Sequence, residues 1–216
     1  MNHKNILVID FETGSKSKYK VAQEGLVTQI AACAIHPRKL TIIDTFNTEV
    51  RPINMDAVEE EALKITRKTR EGLEKATSAD IAWRDFSNYV NSHNYKKNEW
   101  YAPIAAGYNI RGYDWEILNG YAKRFKDVDD NGQQKLFSNF MILDLMDVVY
   151  WWNENSNDLE NLQLTTIRKH MGLSTEGAHD ALVDVLDTAK IIIKYLQLYR
   201  YLGPKVQTKG AFARNG

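Results

Sequence analysis

Runs of apolar residues in the first half of the chain predict β-strands. The segment NILVIDF is apolar at nearly every position, which is typical of a buried strand. Two further segments are rich in β-branched residues, and the HPRK between them has the composition of a turn. The predicted strands cover residues 5–11, 27–36, 41–52 and, as a short strand of small residues, 102–109.

Helical patterns lie between and after these strands. Segment 56–76 is charged and helix-prone, and segment 78–90 opens on Ser78, a residue type that commonly caps helices. Segment 114–125 and a last segment that starts near Asp180 show the apolar spacing of amphipathic helices. We expect the following residues to face the core: Ile81, Phe86 and Val90; Ile117, Leu118, Tyr121 and Phe125; and Leu182, Leu186, Ala189, Ile193 and Leu196.

The order of these elements predicts the fold class. The apolar segment 140–152 fits a strand, a helix, or a strand that passes into a helix, and it follows a polar loop at 126–134. Strands that come first, followed by strands mixed with helices, predict one α/β domain with a mixed sheet over residues 1–202. Residues 203–216 are polar and basic with three glycines, which predicts a flexible tail.

Composition narrows the class of protein without identifying it. Lys plus Arg and Asp plus Glu number 28 each, so net charge alone does not indicate a nucleic-acid partner, and a polyanion would need a local patch or a bound metal. No apolar run reaches the length of a membrane span, and no signal-peptide pattern opens the chain. The lone Cys33 is interpreted as a core residue. Together these features predict a cytoplasmic protein without a membrane partner.

A pair of carboxylates ends the first predicted strand. Asp10 and Glu12 lie two residues apart, so a strand directs both side chains to the same face. Two anions that close repel each other unless a cation lies between them, and Mg²⁺ or Mn²⁺ prefers oxygen ligands. The alternative is a strand end that has run into a polar loop, with both carboxylates solvated.

Two later segments carry matching chemistry. In AAGYNIRGYDWEIL, Asn109 follows a short strand and Asp114 opens a helix, where it either caps the helix or faces a metal. In EGAHDALVDVLDTAK, His179 and Asp184 can meet only if His179 lies on the loop before the helix. A histidine held there can act as a general base; the alternatives are a surface histidine and a polar helix stripe.

Taken together, the segments place four carboxylates and one histidine at a strand end, a helix start and a loop–helix junction. These are the places where an α/β fold gathers a site. Two cations about 4 Å apart, held by four carboxylates, would clamp a scissile phosphate and activate a water.

With these residues in place, the chain resembles the DEDDh (DnaQ-like) 3′–5′ exonucleases of the ribonuclease-H-like superfamily. The resemblance rests on DFET, GYNIRGYD and the H-x4-D motif in HDALVD, in family order and spacing, and it spans roughly residues 4 to 200. Weaker similarity lies between the motifs, including ILDLMDVV with Asp144. The chain departs from a common family form in having Thr13 followed by Gly14, where two threonines are frequent.

The resemblance implies a ribonuclease-H-like fold with a mixed five-stranded sheet flanked by helices. It also implies two-metal-ion hydrolysis that releases nucleoside 5′-monophosphates from the 3′ end of single-stranded nucleic acid, with DNA favoured over RNA. The cofactor would be two Mg²⁺ or Mn²⁺ ions. The implied roles are metal binding for Asp10, Glu12, Asp114 and Asp184, general base for His179, and substrate binding for Thr13 and Asn109.

Several interpretations stay open at this point. A non-catalytic module that binds nucleic acid or a polymerase on the same fold is the alternative function, and a polymerase in a proofreading role is a candidate partner. The adjacent Trp151 and Trp152 are interpreted as core residues, with stacking on bases as the alternative. Lys16, Lys18 and Lys20 either steer a phosphate backbone or lie in a solvated loop.

Overall fold

A mixed β-sheet with helices on both faces organises the protein. The computed structural model describes residues 4–177 and 179–206. The strands are β1 Ile6–Thr13, β2 Val27–Ile35, β3 Ile42–Arg51, β4 Thr77–Ser78, β5 Ile104–Gly107 and β6 Ile142–Asp144. The helices are α1 Lys18–Glu24, α2 Glu60–Thr66, α3 Arg70–Lys75, α4 Ala79–Ser92, α5 Asp114–Arg124, α6 Leu145–Asn153, α7 Leu164–His170 and α8 Ala181–Leu202.

The strand order confirms the α/β class and corrects the strand count. The sheet has six strands in the order β4-β3-β2-β1-β5-β6, rather than the five expected. The first three strands pair antiparallel, whereas β1, β5 and β6 run parallel. The extra strand, β4, consists of two residues that pair with Val50 and Arg51 at the end of β3. A strand of two residues is too short to show a period-2 pattern, so β4 could not be predicted from the sequence.

The strand β1 is apolar at nearly every position because both of its faces are buried. Leu7, Ile9 and Phe11 belong to the core cluster that includes α4 and α5, whereas Ile6 and Val8 pack in the cluster that includes α8. Because successive side chains alternate between faces, Asp10 and Glu12 continue the Ile6–Val8 side. The two carboxylates therefore leave the sheet on the side where α8 packs.

The helix-prone segment 56–76 is helical, but in three short pieces. The chain forms a short 3₁₀ turn at Met55–Ala57 and then two helices, α2 and α3. Arg67 ends α2 in the left-handed region at φ 57°, which stops the helical hydrogen-bond ladder. The Thr69 side chain then caps α3 by accepting from the backbone N–H of Gly72.

Segment 140–152 passes from strand to helix, one of the three readings open in the sequence. Asp144 ends β6 and caps α6 by accepting from the backbone N–H of Met146. The interpretation of the two tryptophans as core residues was wrong, because Trp151 is 72% exposed and Trp152 is 41% exposed. Cys33 is buried, as expected.

The core faces of α4 and α8 differ in part from the expected ones. Phe86 and Val90 are buried, but Ile81 is 38% exposed, and Trp83 packs inward on that face. In α8, Ala189 is buried as expected, while the four predicted large residues of the stripe are only half-buried. The buried residues of α8 are Ala181, Val185, Asp187, Thr188, Ala189, Ile191, Ile192 and Tyr195.

The C-terminal residues follow the last helix. Residues 203–206 follow α8 as a turn, and residues 207–216 of the predicted flexible tail lie outside the described residues. No helix among the described residues is both long enough and apolar enough to cross a membrane.

Candidate active site

Three carboxylates converge at the end of β1. Asp10, Glu12 and Asp184 each offer one carboxylate oxygen, and these oxygens lie within 4.8 Å of one another. All three residues are half-buried. Asp184 belongs to the first turn of α8, the helix that packs on the face from which Asp10 and Glu12 project. The strand alternation and the packing of α8 together produce this cluster.

Asp114 lies beside this cluster and lines the same cavity. It is the first residue of α5 and only 4% exposed, and its Oδ1 accepts a hydrogen bond of 3.1 Å from the backbone N–H of Phe11. That bond joins the start of α5 to the strand residue between Asp10 and Glu12. Asp114 is not among the three residues whose oxygens lie within 4.8 Å of one another.

The turn before α5 is fixed by a buried carboxylate on the neighbouring strand. Asp144 accepts from the backbone N–H groups of Asn109 at 2.9 Å and Arg111 at 3.1 Å. Asn109 adopts a left-handed conformation at φ 54°, which asparagine tolerates better than most residues. In the sequence Asp144 stood out only as part of the weaker similarity between the motifs. Its role in holding this turn becomes visible in the structure, where β6 runs parallel to β5 and Asp144 pairs with Gly107.

His179 lies on the loop before α8, which is the arrangement required for it to meet Asp184. It has φ 68°, is exposed, and lines the cavity that Asp10, Glu12, Asp114 and Asp184 also line. Its backbone N–H donates to the Asp184 carboxylate. The helix itself is capped by Asp180, which accepts from the backbone N–H groups of two residues in the first turn.

The cavity has a volume of about 700 Å³ and opens to solvent. Besides the five motif residues it is lined by aromatic, apolar and polar side chains from β1, α5, α6 and α7 and the turns beside them. These further lining residues are Phe11, Tyr108, Asn109, Tyr113, Met146, Leu162, Gln163, Leu164, Thr165 and Arg168.

The two predicted substrate-binding residues occupy different places. Asn109 lines the main cavity. Thr13 instead lines an adjacent cavity of about 260 Å³ between β1 and α2, and Phe11, Glu12 and Tyr113 border both cavities. The Thr13 hydroxyl donates to the Ser15 carbonyl at 2.9 Å and lies 3.0 Å from the Tyr113 hydroxyl.

The lysines after the first motif are engaged with the protein. Lys16 and Lys20 form ion pairs with Glu61 and Glu59, and Lys18 donates to the Gly112 carbonyl. Lys18 and Lys20 belong to α1 and not to a loop. Exposed ion pairs of this kind contribute little to stability, but they offset the positive charge that a phosphate backbone would meet here.

The electrostatics of the cluster favour a cation. Burial raises the pKa of Asp10 well above its ordinary value, and the neighbouring charges of Asp114, Glu12 and Asp184 raise it further. Burial, followed by the charge of Asp184, raises the pKa of Glu12 to about 8. The carboxylates thus repel one another in a poorly solvated place, and a divalent cation between them would remove this repulsion.

The same cause acts on the other two carboxylates, with partial compensation. Burial raises the pKa of Asp114 to about 7, although the hydrogen bond from Phe11 opposes this. Burial also raises the pKa of Asp184, and the guanidinium of Arg168 opposes the rise. Arg168 is therefore an electrostatic member of the site.

Sequence reasoning missed Arg168. Its side chain is fully buried; Nη2 lies 2.7 Å from Asp184 Oδ1, and Nε lies 3.0 Å from Asp187 Oδ2. In the sequence it stands in TIRKH, beside Lys169 and His170, where an arginine is usually solvated. Only the packing of α7 against α8 reveals its place.

Comparison with known proteins identifies the family. The sequence model of the RNase T exonuclease family, described as "Exonuclease", matches residues 7–192, which is most of the chain and includes all five motif residues. The chain belongs to this exonuclease family. The family is the DnaQ-like group of the ribonuclease-H-like superfamily, so the resemblance drawn from the motifs is confirmed.

Solved structures of other members have the same fold. E. coli exonuclease I in complex with a dT13 oligonucleotide superposes with a TM-score of 0.70 at 20% identity, over 92% of this chain and 43% of that one. Exonuclease I from Methylocaldum szegediense gives 0.69 at 18% identity, over 94% of this chain and 41% of that one. Cell-death related nuclease 4 (CRN-4) gives 0.69 at 18% identity, over 90% and 64%.

At this level of sequence identity, the similarity to these structures shows a shared fold and does not show a shared substrate. The chain spans less than half of each exonuclease I and about two thirds of CRN-4. No curated protein matches the chain.

Proposed function

We propose that this chain is a metal-dependent 3′–5′ exonuclease of the cytoplasm. It would remove nucleoside 5′-monophosphates from the 3′ end of single-stranded nucleic acid, DNA in preference to RNA. The observation that carries the proposal is the group of three carboxylate oxygens, from Asp10, Glu12 and Asp184, that lie within 4.8 Å of one another inside the span that the exonuclease family model matches.

The donor set fits Mg²⁺ or Mn²⁺. The group offers only carboxylate oxygens, which hard cations prefer, and neither a thiolate nor an imidazole nitrogen takes part in it. Asp10, Glu12 and Asp184 would hold the metal, and Asp114 would extend the set to four carboxylates for a second ion. When bound, such ions polarise the scissile phosphate, activate a water molecule and stabilise the leaving oxygen.

The remaining residues position the strand and move the proton. The His179 imidazole on the cavity wall would take the proton from the water that attacks phosphorus. The bond from phosphorus to the 3′ oxygen of the preceding nucleotide breaks, which frees a 5′-monophosphate and leaves a new 3′ hydroxyl. Asn109 in the main cavity and Thr13 in the adjacent one are the proposed contacts to the terminal nucleotide.

The preference for single-stranded DNA is supported by the fold neighbours. Exonuclease I of E. coli is known in complex with dT13 and with dA16 oligonucleotides. This chain has the fold of part of that enzyme, and its cavity at the carboxylates opens to solvent. Action on RNA, a polymerase partner and a proofreading role stay predictions.

A panel of end-labelled substrates tests the proposal. Single- and double-stranded DNA and RNA, labelled at the 5′ end, are incubated with the wild type, Asp10→Ala and His179→Ala, each with Mg²⁺ or with a chelator. We expect a descending ladder from single-stranded DNA that requires Mg²⁺ and is lost in both variants. Full activity of Asp10→Ala would refute the site. Inactivity of the folded wild type with Mg²⁺ and Mn²⁺ on every substrate would favour a non-catalytic binding module.

A further inference from the structure

The buried guanidinium of Arg168 joins two carboxylates one turn apart on α8. Nη2 donates to Asp184 Oδ1 at 2.7 Å, and Nε lies 3.0 Å from Asp187 Oδ2. Asp187 is held in turn by Lys190, whose Nζ lies 2.8 Å from its Oδ1. Asp187 and Arg168 are both buried, while Lys190 is exposed. The result is a chain of contacts from solvent to Asp184, one of the three clustered carboxylates.

Contact with two carboxylates through different nitrogens of one planar group is possible for arginine and not for lysine. A guanidinium is planar and has its donors in a fixed fork, so one hydrogen bond to Asp184 and one ion pair with Asp187, made by different nitrogens, restrict its orientation. In that orientation it holds Oδ1 of the Asp184 carboxylate. The carboxylate can then rotate little, since rotation would break a charge-assisted hydrogen bond in a poorly solvated place.

Asp187 explains how the arginine can be buried at all. Burying a guanidinium without a charged partner costs much free energy. If Asp184 were the only counter-ion, its negative charge would be neutralised by Arg168, and it would attract a metal ion less strongly. Asp187 supplies a second negative charge that lies away from the cluster and is not among the clustered oxygens. Arg168 can therefore orient Asp184 while Asp187 balances part of its charge.

We propose that Arg168 is a positioning residue that sets the orientation of Asp184 for the metal, with Asp187 as its anchor. The inference rests on the proposed function, because it assigns Asp184 to a metal. It requires no contact between Arg168 and the nucleic acid. Partners of this kind behind a metal ligand typically change metal affinity by about 10- to 100-fold when they are altered.

The opposite account is that Arg168 merely holds α7 on α8. In that case its replacement would lower the melting temperature and would affect metal binding equally whether or not Asp184 is a ligand. Under our proposal the effect passes through Asp184 and disappears when Asp184 is replaced. A double-mutant cycle between the two positions distinguishes these accounts.

The test measures Mn²⁺ affinity by calorimetric titration of the whole chain without nucleic acid. Arg168→Lys keeps the positive charge but loses the fork, so we expect the affinity for Mn²⁺ to fall about tenfold. Arg200→Lys is the matched control: Arg200 lies in the last turn of α8, donates to backbone carbonyls and is exposed, and we expect no change. In an Asp184→Asn background, where Asp10 and Glu12 still bind weakly, Arg168→Lys should change the affinity less than about twofold.

The outcomes separate this proposal from the proposed function. Absence of Mn²⁺ binding by the wild type overturns both. Binding by the wild type with unchanged affinity in Arg168→Lys, or an equal loss in the Asp184→Asn background, overturns only the role of Arg168. If Arg168→Lys does not fold, Asp187→Asn replaces it in the same cycle. This variant loosens the anchor but keeps the arginine, and a loss of a few-fold that vanishes with Asp184→Asn is then expected.

Discussion

Replacing Asp114 by asparagine should make the metal-free protein more stable at alkaline pH while it damages the site. Asp114 is buried, and burial raises its pKa from 3.8 to about 7. Asparagine has nearly the same shape, and its amide oxygen can still accept the hydrogen bond that Phe11 donates. The substitution therefore removes the buried charge with little loss of packing.

The size of the effect follows from the pKa of Asp114. A carboxyl group whose pKa is raised by folding holds its proton longer in the folded state than in the unfolded state, so it lowers stability as the pH rises from its ordinary pKa to its folded pKa. Between about pH 5 and the folded pKa of about 7 this costs about 1.4 kcal/mol for each pH unit. We therefore expect the wild type to lose about 3 kcal/mol more than Asp114→Asn between about pH 5 and pH 8.

Urea unfolding with a chelator present measures this difference. The free energy of unfolding is determined for both proteins at both pH values by circular dichroism, with equal slopes against urea as the check that the same surface unfolds. The difference between the two free energies of unfolding should grow by about 3 kcal/mol from the acidic to the alkaline pH, in favour of Asp114→Asn. Equal loss of stability in both proteins would refute the reasoning that a buried, repelled carboxylate at this position opposes folding.

Three further predictions concern metal binding, backbone geometry and exposure. Mn²⁺ at about 100 times its Kd should stabilise the wild type by about 2.7 kcal/mol and leave Asp10→Asn almost unchanged, as melting temperatures with and without the ion will show. Gly25→Ala should cost about 2 to 4 kcal/mol in urea unfolding, because Gly25 has φ 72° and an added Cβ would lie 2.6 Å from Ile53 Cδ1. Gly132→Ala, at φ 76° with open space around it, should cost only about 1 kcal/mol, and an equal cost at both glycines would contradict the clash. Trp151→Ser should change stability by less than about 0.5 kcal/mol, because the ring is exposed; a larger loss in the same urea assay would contradict its placement.

Local sequence patterns predicted those parts of the site whose geometry is set within a single strand or helix. The apolar run before Asp10 and Glu12 requires a strand buried on both faces, and strand alternation alone puts the two carboxylates on one side. The requirement that His179 lie on a loop and Asp184 in the first helical turn followed from helix geometry and is met.

Patterns could not predict what depends on contact between distant elements. Arg168 has the sequence surroundings of a surface arginine, and only the approach of α7 to α8 buries it against Asp184 and Asp187. The prediction that Trp151 lies in the core was wrong, because the apolar residues of α6 do not show which end of the helix is buried and which is exposed. The break at Arg67 depends on one residue in the left-handed region, for which arginine gives no signal.

The identity of the released product tests the central claim most directly. Unlabelled single-stranded DNA is incubated with Mn²⁺ in water enriched in oxygen-18, with the wild type and with Asp10→Asn, and the small products are analysed by mass spectrometry. The account predicts that the wild type releases nucleoside 5′-monophosphates from the 3′ end, each with one oxygen-18 on phosphorus, and that Asp10→Asn releases almost none. Release of nucleoside 3′-monophosphates or of longer fragments, or equal release by Asp10→Asn, would contradict it.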